Sequence, residues 1–256
     1  MPALNSLPDT STLVLLAGAV AAGFVQGLSG FAFSLTATSI WIWWLPPQQV
    51  AALSVFGALT GQIVAALTTR RAARWPRLWP LLAGGLCGMP LGLWLLPRLD
   101  AEMFRLGVGL LLAVWCPLML LTDRLPQVRW GGRWADALAG LGGGFSGAVG
   151  GYTGVVPTLW ATLRGWPKDE LRAVIQNFNL VMLAVTFASY VVSGWVTRAH
   201  LPQLFLLVVA LFVPVLLGAR LYAGISPEAF RRLVLMLLAC SGLAMLWSAV
   251  PALLAR

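Results

Sequence analysis

Apolar residues run along this chain in eight blocks parted by short clusters of charge, proline and glycine: about 12–44, 48–69, 78–97, 103–121, 135–163, 171–195, 201–219 and 228–250. Six of the blocks approach the ~20 residues that a helix needs to cross a bilayer. The first and fifth do not fit. As straight helices rising ~1.5 Å per residue they would reach about 50 and 44 Å, against a hydrocarbon core of ~30 Å. Each is also interrupted by glycine: Gly23 to Leu35 reads GFVQGLSGFAFSL, and Gly144 to Val156 reads GFSGAVGGYTGVV. The two stretches align at an offset of 121 residues, pairing Gly23 with Gly144, Phe24 with Phe145, Gly30 with Gly151 and Phe31 with Tyr152. The pattern predicts two hairpins that enter the membrane, turn at the glycines and leave on the same side, each built of two pieces too short to cross alone.

Composition places the chain in lipid. It is 59% hydrophobic and 10% charged, with mean hydropathy +0.86, whereas soluble domains carry ~25% charged residues. The formal charge of +9 would suit nucleic acid if it were clustered, but the basic residues lie in short loops between apolar blocks. The expected partner is therefore the bilayer and not nucleic acid. Loop charge also tests the hairpins. If all eight blocks cross, the 17 basic residues divide almost evenly between the two faces. If the first and fifth blocks are re-entrant, only Arg98, Arg105, Arg198 and Arg256 fall on one face and all the others on the opposite, inner one. The tendency of basic loops to stay inside thus predicts six crossings plus two hairpins, with both termini outside.

The expected fold is an all-α integral membrane protein. Its two halves form an inverted repeat, each one re-entrant or broken helical hairpin plus three transmembrane helices. The repeat boundaries are read as 1–122 and 135–256, joined by the polar loop 123–134, together one transport domain. A second echo, Gly92 with Leu99–Arg105 against Gly218 with Ile225–Arg231, falls at an offset of 126. An odd number of crossings per half inverts the second half relative to the first, and inverted repeats with broken helices are the build of secondary transporters. Cys87, Cys116 and Cys240 sit in apolar blocks without metal or disulfide spacing and are read as packing residues. Trp41, Trp43, Trp44, Trp75, Trp79, Trp130 and Trp134 lie near block ends and are read as interfacial anchors. No Lys or Arg precedes Arg70, so Thr12–Gly27 is read as part of the first block and not as a signal peptide.

Irregular backbone at membrane depth is tolerated where it lines a cavity or is buried in protein. Gly27, Gly30, Gly147, Gly150 and Gly151 are expected to leave backbone amides uncovered, with a half-helix after each break pointing its positive end at the gap. Such an arrangement suits an anion. Around it stand Gln26, Ser29, Phe31 and Ser34 in the first break and Ser146, Tyr152 and Thr153 in the second. Gln176, Asn177 and Asn179 add three amides within an apolar run, 176 and 179 on one helix face. Close packing and interhelical ties are the plainer reading of both groups; the shared register of the breaks favours a site. All eight acids and His200 lie in loops or at block ends, so a buried proton relay is not expected and a permeating cation would lack a charged partner. Gly27-Leu28-Ser29-Gly30 matches the GxSG of rhomboid proteases, but that chemistry needs a histidine on a neighbouring helix. His200 stands beside Arg198 and Pro202 at an expected surface.

Taken together, the early GLSGF break, the midway GGGFSGAVGGYTG break, the VPTLWATLRGWPKDELRA stretch that follows and the duplicated halves resemble the TauE/SafE family, the sulfite or organosulfonate exporter-like membrane permeases. The resemblance covers nearly the whole chain. It implies a multi-pass permease of the bacterial cytoplasmic membrane that moves small sulfur-containing anions such as sulfite, sulfoacetate or other organosulfonates outward, without a cofactor, and by analogy as a homodimer. The alternatives are a carrier of another small solute, a metal cation or an amino acid, or an intramembrane protease.

Overall fold

The computed structural model describes residues 10–30, 32–68, 74–122, 127–128, 130–221 and 227–254. Among these residues ten α-helices follow one another: α1 (Thr10–Ser29), α2 (Phe33–Trp41), α3 (Pro47–Thr68), α4 (Trp75–Leu95), α5 (Ala101–Leu121), α6 (Gly132–Gly150), α7 (Val155–Leu163), α8 (Lys168–Val192), α9 (Leu201–Leu221) and α10 (Pro227–Leu254). Single 3-10 turns, Leu96–Arg98 and Arg198–His200, extend α4 and precede α9. No strand occurs among the described residues. Among the described residues seven helices are long and apolar enough to cross a membrane, and the chain is an integral membrane protein.

Local chemistry sets the helix ends. The Asp100 carboxylate accepts the Met103 amide at 2.8 Å and caps α5. Pro167 precedes α8, whose first turn carries Asp169 and Glu170 at the positive end of its dipole. The two long blocks break where expected, at Gly30 (φ +83°) and Gly151 (φ +81°), in the left-handed region that glycine alone enters without a Cβ penalty.

One expectation needs correction. The breaks come late in their blocks, so α1 has 20 residues and α6 has 19, about 30 Å each. Only α2 and α7, with 9 residues each, are too short to cross. Each hairpin is thus a full-length helix followed by a half-length one folded back on it. Trp41 at the end of α2 donates to the carbonyl of Val14 near the start of α1, 3.2 Å away, in the space left by Gly18. Trp41 is accordingly buried and is not an interfacial anchor, whereas Trp44, Trp75, Trp79, Trp130 and Trp134 are exposed. Of the cysteines only Cys116 is buried; Cys87 and Cys240 lie on outer helix faces and do not pack the interior.

Contacts between loop ends fix which ends share a face. Arg77 Nε lies 3.0 Å from Glu170 Oε1, and its guanidinium stacks 4.5 Å over Trp166, so α4 and α8 start on one face. Gln49 meets Gln203 at 3.3 Å and Arg105 lies over Trp43 at 5.2 Å, so α3, α5 and α9 start on the other. Eight full crossings would place Arg77 and Glu170 on opposite faces. A membrane-impermeant maleimide applied from outside, to protein lacking its native cysteines, is therefore expected to label Ala199→Cys and to spare Lys168→Cys; labelling of Lys168→Cys would return the chain to eight crossings.

The helices pair across the halves. α1 packs on α9, where Gly27 and Gly218 bring the backbones together and Gly23 sits against Leu211. α6 packs on α4, where Gly144 lies against Gly85 and Ala148 against Gly92. Shifting α6 back by 121 residues and α4 forward by 126 turns the second set of contacts into the first. α3 and α8 stand at the centre: 61% and 50% of their spanning windows are buried, against 28% for α9 and α10.

Candidate functional site

The site begins with one amide on α1. Gln26 Nε2 donates to the Ala58 carbonyl of α3 at 3.0 Å, and its Oε1 accepts the Phe33 amide at the start of α2 at 3.2 Å. It clamps the first break and is 3% exposed. Ser29 Oγ accepts the Ala32 amide at 3.2 Å, closing the turn. Gln62 on α3, 1% exposed, donates to the Gly30 carbonyl at 2.7 Å. Its Oε1 has no partner among the described residues.

The second break is held by more side chains. Tyr152 donates its hydroxyl to Thr38 Oγ1 of α2 at 2.9 Å, and Thr38 in turn meets Ser54 of α3 at 3.3 Å. Thr153 donates to Asn179 Oδ1 at 2.9 Å. Trp115 donates to the Val155 carbonyl at 2.8 Å, and Tyr190 to that of Ala148 at 2.7 Å. Ser146 Oγ donates to the Gly142 carbonyl, 2.7 Å away, and lies 3.1 Å from that of Tyr152. A Cβ at Gly151 would lie 2.5 Å from Ser34 Oγ. The two breaks are therefore joined through α2.

These contacts revise the expected role of the glycines. The amides of Gly30 and Gly151 are not uncovered: each closes the last turn of its helix, to Gln26 O and Gly147 O, both at 2.7 Å. Gly27 serves the packing of α1 on α9, Gly147 makes room for Thr153 and Gly150 for the Tyr152 ring. The start of α7 is also poor in donors, since the Val155 amide goes to Tyr152 O and Pro157 has none. Side chains, more than backbone, are left to meet a ligand.

α8 carries them. Gln176 is 5% exposed and sits against Gly30, where a Cβ would lie 2.8 Å from its Nε2. Asn179, one turn along, serves the second break. Asn177 lies off that face, half-buried, and is not brought to the breaks. Phe31 lies outside the described residues. A cavity of about 50 Å³ opens at the first break, walled by Gln26, Gly27, Gly30, Gly61 and Gln176. Val64, Ala65, Val215, Leu216 and Ala219 complete its lining together with Arg172. Arg172 precedes Gln176 by four residues and so shares its helix face.

Thr38, Ser54, Gln62 and Arg172 were missed in the sequence. Gln62 was findable by the criterion that selected Gln176, an amide in an apolar run. Arg172 was legible as a loop charge, and its four-residue spacing from Gln176 was the overlooked signal. The Asp136 carboxylate, at the start of α6, is buried and accepts Trp160 Nε1 at 2.7 Å, away from the breaks. Ser29 lies deep in the hairpin while His200 caps the Thr197 turn, so no nucleophile and base meet.

A match to the family described as Sulfite exporter TauE/SafE spans residues 15–245. The chain belongs to that family. Within TauE/SafE it is similar to the Probable inner membrane transporter protein TsaS of Comamonas testosteroni, at 30% identity over 188 residues, 68% of this chain and 73% of that protein. No solved structure matches the chain significantly. As a TauE/SafE member the protein is a membrane transporter and not an enzyme, which removes the protease alternative.

Proposed function

We propose that this TauE/SafE protein carries a small sulfur oxyanion, sulfite, sulfoacetate or another organosulfonate, across the cytoplasmic membrane of a bacterium. The observation that carries the reading is the cavity at the first break, where the buried Gln176 faces Gly30 and Arg172 lines the same wall. Arg172 supplies the charge that draws an anion in, with a planar fork suited to a tetrahedral or pyramidal oxyanion. Gln176 supplies a desolvated donor, and Gln62 a second amide behind the Gly30 carbonyl. Among the described residues no acid lines the cavity, which favours an anion over a cation.

The cavity lies toward the face that carries Arg77, Glu170 and Arg172, so the anion loads from the basic, inner face. Beyond it the Tyr152–Thr38 and Thr153–Asn179 bonds seal the second break. The cross-paired contacts of α1 with α9 and α6 with α4 support an inverted repeat, with the halves meeting as one transport domain. Transport then follows from exchange of the two breaks' states: the first closes and the second opens. By the analogy already drawn, the working form is a homodimer.

Thermal shift in detergent with sulfite, sulfate, sulfoacetate, taurine, phosphate and chloride tests the substrate class. One sulfur anion at about 100 times its Kd is expected to stabilise the fold by ~2.7 kcal/mol, and phosphate and chloride by far less. Stabilisation by phosphate or chloride in its place would overturn the sulfur assignment.

A further inference from the structure

A groove of about 580 Å³ runs down the outside of the helix bundle between α3, α8 and α9, and none of its lining residues lines the cavity at the first break. It is about four times the ~150 Å³ that suffices for an apolar cavity to hold benzene. Its floor is Phe56 of α3 against Phe187 of α8, with ring centroids 5.1 Å apart. Val191, Leu204 and Val208 form its sides. Leu201 and Phe205 lie on the bundle's outer surface, 57% and 72% exposed. From Leu201 to Val208 the groove descends about 10 Å along α9, within the ~15 Å of one leaflet's hydrocarbon.

Polarity is confined to one end. Thr197 and Arg198 stand there, at the turn that opens α9, where a chain crossing the membrane meets the headgroup layer. This is the face that basic residues otherwise avoid. Of the others on it, Arg98 lies over Trp94 and Arg105 pairs with Glu102, and Arg256 lies outside the described residues. Arg198 forms no ion pair with a described carboxylate. A cation heading an apolar channel one leaflet deep matches the form of a lipid: acid at the surface and hydrocarbon below.

We propose that this groove binds one acyl chain of an anionic phospholipid of the outer leaflet, with the phosphate on Arg198.

The test compares phosphatidylglycerol with phosphatidylcholine, added in mixed micelles to the purified full chain and followed by native mass spectrometry and thermal unfolding. Phosphatidylglycerol is expected to remain bound at one site per chain, about fivefold more tightly than phosphatidylcholine. Arg198→Gln should abolish that preference, while Arg220→Gln on the opposite face should keep it. Val208→Trp, which fills the lower groove, should lose both lipids; if it fails to fold, Leu201→Trp at the exposed rim takes its place. Equal binding of the two lipids by the unaltered chain would overturn the proposal, as would an undiminished preference in Arg198→Gln. Efficient disulfide crosslinking of Leu201→Cys between two chains would also overturn it, by assigning the groove to a second copy.

Discussion

Gly151→Leu is expected to abolish transport while the protein still inserts and purifies, and Gly30→Leu to do the same. Two costs combine at each position. A non-glycine residue in the left-handed region loses ~1–2 kcal/mol, and φ is +83° at Gly30 and +81° at Gly151. The new side chain also meets the site itself: a Cβ lies 2.8 Å from Gln176 Nε2 at Gly30, and 2.5 Å from Ser34 Oγ with Val55 at 3.3 Å beyond it at Gly151. Leucine must displace those groups or shift the hairpin, and either moves the wall of the cavity or the bond network that ties the breaks together. Alanine at the same positions should be milder, with transport reduced about tenfold or more from ~1.4 kcal/mol or more of distortion. Gly107 on α5 is the control, because a Cβ there meets nothing within 4 Å, and Gly107→Ala should be neutral or stabilise by up to ~1 kcal/mol. Counterflow in proteoliposomes, with thermal unfolding to separate folding from function, reads the outcome. Full transport by both leucine variants would remove the breaks from the mechanism.

Arg172→Gln should raise the KM for the anion by about tenfold, the worth of one charge-assisted contact of ~1.5 kcal/mol, with a smaller effect on maximal rate. The residue lines the cavity and is itself exposed, so part of its action is attraction at a distance and should weaken with salt over a Debye length of ~10 Å at 0.1 M. Arg172→Lys keeps the charge without the planar fork and should fall between the two. In the unaltered protein KM should rise with ionic strength; in Arg172→Gln that dependence should flatten. An unchanged KM in Arg172→Gln, measured with the inner face presented to substrate, would place the anion's path elsewhere.

The two halves of the site differ in a way that bears on transport. The second break is pinned by Tyr152, Thr153, Trp115 and Tyr190, each with a hydrogen bond that crosses to or from another helix or hairpin. At the first break Gln26 and Gln62 do the holding, and a cavity is left beside them. A carrier built from two related hairpins needs such an imbalance to present its site to one face at a time. Gln62 Oε1, buried without a partner among the described residues, lies on the open side, where desolvation is costly until a ligand or water supplies a partner.

What the sequence determined by itself is whatever rests on neighbours along the chain. Eight apolar blocks, their polar separators and the two glycine breaks are local properties. The breaks fall at Gly30 and Gly151 because only glycine takes a positive φ there without strain. Loop charge, summed along the chain, predicts the hairpins, and the Arg77–Glu170 and Gln49–Gln203 contacts place the helix ends side by side as that arrangement requires. Tertiary structure decided what depends on residues far apart. Trp41 has the sequence of an interfacial anchor, but the fold-back of α2 onto α1 buries it in the space at Gly18. Asn177 and Gln176 are adjacent in an apolar run, and the rotation of α8 against α3 alone selects Gln176 for the cavity. Gly30 and Gly151 were expected to bare their amides, yet an i→i−4 bond was available to each once the preceding helix ran its full length. Arg172 was one loop charge among many until packing set it beside the first break. Hydrophobic periodicity records which residues are hidden from water; which hidden residues meet one another is fixed only when the helices pack.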